Sequence, residues 1–323
     1  MIISPDYEFT SDQKAALKKA RVLCYLSIAY LTIDIFLMYL VMGSSQAMQT
    51  AWVEDFLSLI PPVSFILGSY LCWRRPTKHY PYGFHRVISV LFLCAALALL
   101  LMGSYLFVDA LIGLGLRERP TIGMKAFFGI DLWLGWWMIL VLLLGTLPPF
   151  LLGRAKLSPA IKLNDKILYT DGKMNKADWL TAIAAIAGVA GIGMGWWWAD
   201  SAAAMIISFD ILKDGWRQSK NAVTGLLNRA PTSVDNKFLD LPEKIEDQLR
   251  VYHWVSKSKV RLYEQGHLFF GEAFICPKDN SLNVGSLRNA MQDISKLDWR
   301  LQSISLTVDP DYEGGNDQTK DKC

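Results

Sequence analysis

Six stretches of this chain stay apolar for about the twenty residues that a helix needs to cross a bilayer, and no other feature limits the fold so tightly. They run from Val22 to Met42, Trp52 to Trp73, Val87 to Leu114, Asp131 to Leu152, Asp178 to Trp198 and Asp200 to about Leu226. Of the 323 residues, 52% are hydrophobic and 20% charged, and the mean hydropathy of +0.23 sets a wholly water-soluble chain aside. The first run follows a polar segment, is as long as a full span and has no small-residue cleavage pattern behind it, so it reads as a span and not a signal peptide.

Short-loop charges orient the spans. Lys14, Lys18, Lys19 and Arg21 precede the first run, Arg74, Arg75, Lys78 and Arg86 follow the second, and Arg154, Lys156, Lys162 and Lys166 follow the fourth. Only Arg117, Arg119 and Lys125 fall on the other side, so both termini are expected in the cytoplasm. The formal charge is +6 over residues 1–230 and −3 over residues 231–323, with no clustered basic stripe, and nucleic acid is excluded as a partner. The five cysteines are scattered and never spaced C-x-x-C, which encodes neither a disulfide framework nor a thiolate zinc site.

Soluble-domain patterning takes over after Pro231. A helix is expected over Leu241 to Val255, strands over Lys259 to Tyr263 and Leu268 to Cys276 joined through Gln265-Gly266, a helix from Val284 to Leu297 and a strand from Leu301 to Val308. The expected architecture is therefore an α-helical membrane protein. It has a cytoplasmic segment over residues 1–20, six transmembrane helices over 21–230, a small cytoplasmic α/β ferredoxin-like (αββαβ) domain over 231–310 and a disordered tail over 311–323.

Ionisable groups within spans cost several kcal/mol each, so every one is a functional candidate. Glu54 and Asp55 stand side by side one turn inside the second run, ahead of Ser58 and the helix-disturbing pair Pro61-Pro62; adjacent carboxylates there repel unless a cation or protons neutralise them. The alternative is a helix that starts later, with both acids in the outer water. At the start of the fifth run Asp171, Met174, Asn175 and Asp178 share one helical face, bringing two carboxylates, a thioether and an amide oxygen together as a surface for hard cations with one soft donor. Lys173 and Lys176 offer the competing reading of an interfacial salt-bridge face. Asp34 and Asp210 lie deep within the first and sixth runs, while Asp131 and Asp200 lie at run ends, where capping suffices. His79, His85, His253 and His267 have no metal-binding spacing, and the glycines from Gly191 to Gly195 suit close helix packing.

Together these features resemble the cation diffusion facilitator (cation efflux) family over residues 20–310. Thr170, Asp171, Met174 and Asp178 take the named places of a motif similar to the family's A-D-x-x-H-x-x-x-D. Trp196-Trp197-Trp198-Ala199-Asp200 is similar to the aromatic-Asp opening of its sixth span, Tyr80-Pro-Tyr-Gly-Phe84 to its H-P-Y-G-H loop, and Glu54-Asp55-Phe-Leu-Ser58 to the start of its span-two motif. The departures are specific. Met174 replaces a histidine ligand and leaves Asp178 of that pair, Tyr80 and Phe84 replace loop histidines, and Thr307 replaces the histidine of the last strand and leaves Asp309. In span two, one register puts Ser58 and Pro62 at the ligand places and another puts Glu54 and Ser58 there.

The resemblance implies efflux of a divalent cation of the Zn, Co, Fe or Mn class from the cytoplasm by a homodimer. Transport would proceed by proton exchange and alternating access in the plasma (inner) membrane, with no resident cofactor. Asp178 is the expected principal ligand, with Asp55, Glu54, Asn175 and Asp171 as co-ligands and Met174 as a soft one. Two other classes compete: a transport-inactive relative serving as membrane sensor or assembly partner, and an intramembrane enzyme using paired carboxylates as acid and base. The second of these lacks a nucleophile or substrate motif.

Overall fold

In the computed structural model, which describes residues 10–71, 77–80, 83–84, 86–127, 130–177, 179–266, 268–278 and 283–309, the first helix begins well before the apolar run. Thr10 Oγ1 accepts from Gln13 N and Gln13 Oε1 accepts from Thr10 N, a capping box that starts α1 (Ser11–Val41) in the polar approach and not at Val22. Its buried face recurs every three or four residues through Ala20, Cys24, Ser27, Leu31, Asp34 and Met38. Ile33 and Phe36 point outward, 59% and 61% exposed. The small and polar groups of α1 thus lie on its buried face, with Leu31 and Met38 among them, while Ile33 and Phe36 face the surroundings, the sense expected in lipid.

The second run starts at Gln46, before Trp52, because Ser45 caps it by accepting from Met48 N. It is divided into α2 (Gln46–Leu57) and α3 (Ile60–Leu71). Pro61 and Pro62 explain the division: neither has an N–H for the carbonyl four residues back, yet both are tolerated in the first turn of a helix that starts anew. At the other end of α3, Arg21 of α1 donates to Ser69 Oγ at 3.1 Å and to Ser69 O at 2.9 Å, satisfying a terminal carbonyl.

After α4 (Val87–Gly115) a short hairpin, β1 (Met124–Phe127) and β2 (Ile130–Trp133), pairs Ala126 with Asp131, so the fourth span begins at Leu134 and not at Asp131. That span, α5 (Leu134–Leu163), runs past Leu152 to Asn164, whose left-handed backbone (φ 50°) ends it. Asp165 then caps the next helix by accepting from Leu168 N at 2.8 Å. The connection is therefore two residues, and Arg154, Lys156 and Lys162 stand on the helix and not in a loop. The fifth span is described in two parts, α6 (Lys166–Ala177) and α7 (Trp179–Gly193), so it starts before Asp178 and ends before Trp198. Gly195, at φ +82°, turns the chain into α8 (Ala199–Leu226).

Among the described residues five helical stretches are long and apolar enough to cross a membrane: Ser11–Val41, Gln46–Leu71, Ser89–Gly115, Leu134–Leu163 and Lys166–Gly193. The sixth expected span corresponds to α8, whose 28 residues include Asp200, Asp210, Lys213, Asp214 and Arg217. Met38, Met48, Met138, Val189 and Ile207 meet in one core, and Ala20, Cys24, Phe65, Ala160 and Leu168 in another. Close approach depends on small residues: a Cβ on Gly188 would lie 2.7 Å from the Ala203 side chain.

The chain divides into two units, α1 to α8 as far as Thr224 in one and Gly225 onward in the other, the latter with the described part of residues 75–86. In the second unit α9 (Leu241–Arg250) ends before Val255, which instead opens β3 (Val255–Gln265). β4 (Leu268–Pro277) pairs antiparallel with β3, and β5 (Leu301–Val308), reached through α10 (Val284–Leu297), pairs parallel with β4. The αββαβ order is as expected. Ile245, Leu249, Phe269, Ile275 and Ile294 close the core between helices and sheet. The tail over 311–323 lies outside the described residues.

A polar tie joins the end of α9 to α10: Tyr252 Oη donates to Asp293 Oδ2 at 2.7 Å, and Lys296 Nζ to Oδ1 at 3.0 Å. Tyr252's hydroxyl, then the Lys296 ammonium, hold the Asp293 carboxyl below the usual carboxylate range. A lowered folded value means that this contribution is complete above the ordinary value of about 3.9 and is lost as pH falls through the lowered one. Tyr252→Phe is expected to move the Asp293 midpoint upward in a carboxyl-carbon NMR titration. An unmoved midpoint would show that the hydroxyl does not set it.

Candidate functional site

The break between α2 and α3 places three kinds of oxygen together in sequence. Glu54 and Asp55, both half-buried, lie in the last turn of α2, and Ser58 caps it. Pro61 and Pro62 cannot donate to the carbonyls of Leu57 and Ser58, the partners an unbroken helix would give them. Carboxylates, a hydroxyl and backbone carbonyls are the donors that hard divalent ions take. Both acids are inside the helix that starts at Gln46, against the reading in which the helix begins after them.

Across from this break, α2 packs on α7 and α3 packs on α6. Asp178 falls between α6 and α7 and lies outside the described residues, as do the side chains of Lys176 and Ala177. Of the face read from the sequence, Asp171 and Asn175 are buried and Met174 is half-buried. Asp171 is already paired: Lys156 Nζ of α5 lies 2.6 Å from Oδ2, with the two side chains 0% and 3% exposed, and Asn175 hydrogen-bonds the same carboxylate. Met174 Sδ accepts from Gln218 Nε2 of α8 at 2.9 Å. Lys173 instead lies over the Tyr169 ring, 4.6 Å from its centre. Among the described residues no three His, Cys, Asp or Glu side chains converge as a metal-binding set.

The remaining acids separate by partner. Asp200 ties α8 to the start of α2 by accepting from Ser45 Oγ at 2.5 Å, Gln46 N at 2.6 Å and Ala47 N at 3.3 Å, a capping role performed on a neighbouring helix. Asp34 is buried against α5, where Tyr30 Oη lies 3.1 Å from its Oδ2. Lys156 and Gln218 are the polar residues that sequence reasoning missed. Lys156 had been counted as a cytoplasmic loop charge, and the turn signal Asn164-Asp165 eight residues on would have placed it on a helix.

A family model described as the cation efflux transmembrane domain matches residues 22–227. No curated protein matches the chain.

A buried ion pair is strongly destabilised by losing one partner, by about 3–5 kcal/mol, whereas replacing both by apolar groups is often neutral. Lys156→Met and Asp171→Leu are each expected to lower the thermal unfolding midpoint of the purified protein, and the double variant to regain most of the loss. Additive losses would mean that the two side chains are not coupled.

Proposed function

The chain belongs to the cation efflux family, and on that footing we propose that it exports a divalent cation of the Zn, Co, Fe or Mn class from the cytoplasm in exchange for protons. The observation that carries this reading is the proline-broken second span. It leaves Glu54 and Asp55 in the last turn of α2, within four residues in sequence of the Leu57 and Ser58 carbonyls, on helices that pack against the two parts flanking Asp178. In the proposed cycle Asp178 with Asp55 or Glu54 binds the ion when ionised and releases it when protonated, because ion and proton compete for the same oxygens. Met174 adds a soft donor. Asp171 and Asn175 join only if the ion displaces the Lys156 ammonium from the carboxylate, so their part in the proposal is conditional on that exchange.

With the family's imidazole lost from the site and carboxylate oxygens left as the main donors, preference is proposed to shift from zinc toward Mn²⁺, Fe²⁺ or Co²⁺. The proposal includes α8 as the sixth span, cytoplasmic termini and location in the plasma (inner) membrane. It also takes the second unit as a ferredoxin-like domain that holds a homodimer together without metal. One observation favours the rival reading of a transport-inactive sensor or assembly partner: Lys156 already neutralises one acid of the expected site.

Proteoliposomes loaded with a metal-sensitive dye separate the two. Across an imposed pH gradient the wild-type chain is expected to carry at least one of Zn²⁺, Mn²⁺, Fe²⁺ and Co²⁺. Asp178→Asn should reduce the rate by more than the about 10–100-fold typical of losing even an outer partner of a metal ligand. Glu54→Gln and Asp55→Asn, tested separately, identify the acid of span two. Flux of no ion by folded wild-type protein would establish the inactive reading, and a zinc-only profile would remove the softness argument.

A further inference from the structure

A buried carboxyl and a carbonyl freed by proline meet at the contact between α1 and α5. Pro149 has no N–H, so the Gly145 carbonyl of α5 lacks its helical donor. Tyr30 of α1 supplies one, its hydroxyl donating to Gly145 O at 2.6 Å. The same hydroxyl oxygen lies 3.1 Å from Oδ2 of Asp34, one turn further along α1 and 6% exposed. Gly145 makes room for that carboxyl, since a Cβ there would lie 2.8 Å from Oδ2.

A tyrosine hydroxyl has one hydrogen, and the carbonyl can only accept. With that hydrogen committed to Gly145, the phenolic oxygen and an ionised Asp34 would meet lone pair to lone pair in a medium that solvates neither. A proton on Asp34 Oδ2 resolves the contact, as the carboxyl O–H then donates to Tyr30 Oη. We propose that Asp34, through the chain Asp34–Tyr30–Gly145 carbonyl, is a proton-binding site separate from the cation site, occupied when α1 packs on α5 as described here. Binding forms one O–H bond on the carboxylate and breaks none. Release leaves the single tyrosine hydrogen to be divided between Asp34 and Gly145, so the α1–α5 contact is tied to the proton.

Neighbouring elements leave this assignment undisturbed. α1 packs on α2, α3 and α5, whose titratable groups include Glu54 and Asp55, Tyr70, and Arg154, Lys156 and Lys162 respectively. None of these reaches the carboxyl; among the described residues Tyr30 is the titratable group that does. The site rests on geometry, and its use as the proton half of an exchange rests on the transport reading above.

The test is infrared difference spectroscopy of the full-length protein in lipid, between alkaline and mildly acidic pH, without metal. A protonated-carboxyl stretching band is expected to grow on acidification, to vanish in Asp34→Asn and to shift to higher frequency in Tyr30→Phe, where its acceptor is gone. A band unchanged in both variants overturns the site. If Asp34→Asn does not fold, Tyr30→Phe decides alone: a shifted band supports the site and an unshifted one overturns it. Because no metal is present, failed metal flux with an intact band would remove the transport reading and leave this site standing.

Discussion

Within a bilayer no water is at hand for a backbone carbonyl or a carboxylate, and the transmembrane unit is organised by how each such group finds a partner inside the protein. The chain makes the task harder with five prolines in its spans: Pro61 and Pro62 in α3, and Pro148, Pro149 and Pro159 in α5. Each lacks the N–H that a continuous ladder uses, which divides the second span before α3 and removes rungs within α5. The Gly145 carbonyl is repaired from outside its helix by Tyr30, at 2.6 Å. Those of Leu57 and Ser58 fall within four residues of Glu54 and Asp55 in sequence, and the transport reading gives them the ion as partner. The same proline chemistry thus makes a helix contact in α5 and, in the transport reading, a coordination surface in the second span.

Buried charge follows the same rule and sorts the acids by what they already hold. Asp200 accepts three hydrogen bonds at the start of α2, two of them from backbone N–H groups whose helix-end position adds a favourable dipole. It is a structural clamp. Asp171 holds an ammonium, and a divalent ion arriving there gains the carboxylate only by leaving Lys156 buried and unpaired, a cost comparable to that of breaking any buried pair. The acids on which transport chemistry is proposed are those at the break in the second span and at the junction of α6 and α7. The helices on either side of these positions pack on one another, α2 on α7 and α3 on α6.

Much of the fold was legible because lipid imposes a coarse code. Apolar runs marked the spans, and the strand and helix limits of α10 and β5 fell where alternation and capping put them. Boundaries failed where a polar cap extended a helix beyond its apolar run, as Thr10 and Ser45 do, since hydropathy does not register a capping hydroxyl. The failure at α5 had a different source. Lys156 reads as a loop charge because lysine is costly in a span, and only its pairing with Asp171, fifteen residues on across a two-residue turn, offsets that cost. Pair energies between helices do not show in a single-residue scale. The reciprocal case is Asp34, legible as an anomaly but not in role, because its partner Tyr30 also bonds a backbone carbonyl exposed by a proline on another helix.

These cases converge on α5, which carries both Gly145 and Lys156. They are separated by eleven positions, about 16 Å along an unbroken helix at 1.5 Å per residue. Pro148 and Pro149 fall between them and interrupt the ladder at the level of the Tyr30 contact. A helix missing consecutive rungs bends more easily there than elsewhere. On one side of the interruption the contact is a neutral hydrogen-bond chain to α1, sensitive to a single proton. On the other it is a full ion pair to α6, the helix that leads into Asp178. Hydrogen bonds that a proton rearranges are weaker than a buried ion pair that must break as a unit. Bending at the prolines would therefore shift the α1 contact while α5 and α6 continued to move together.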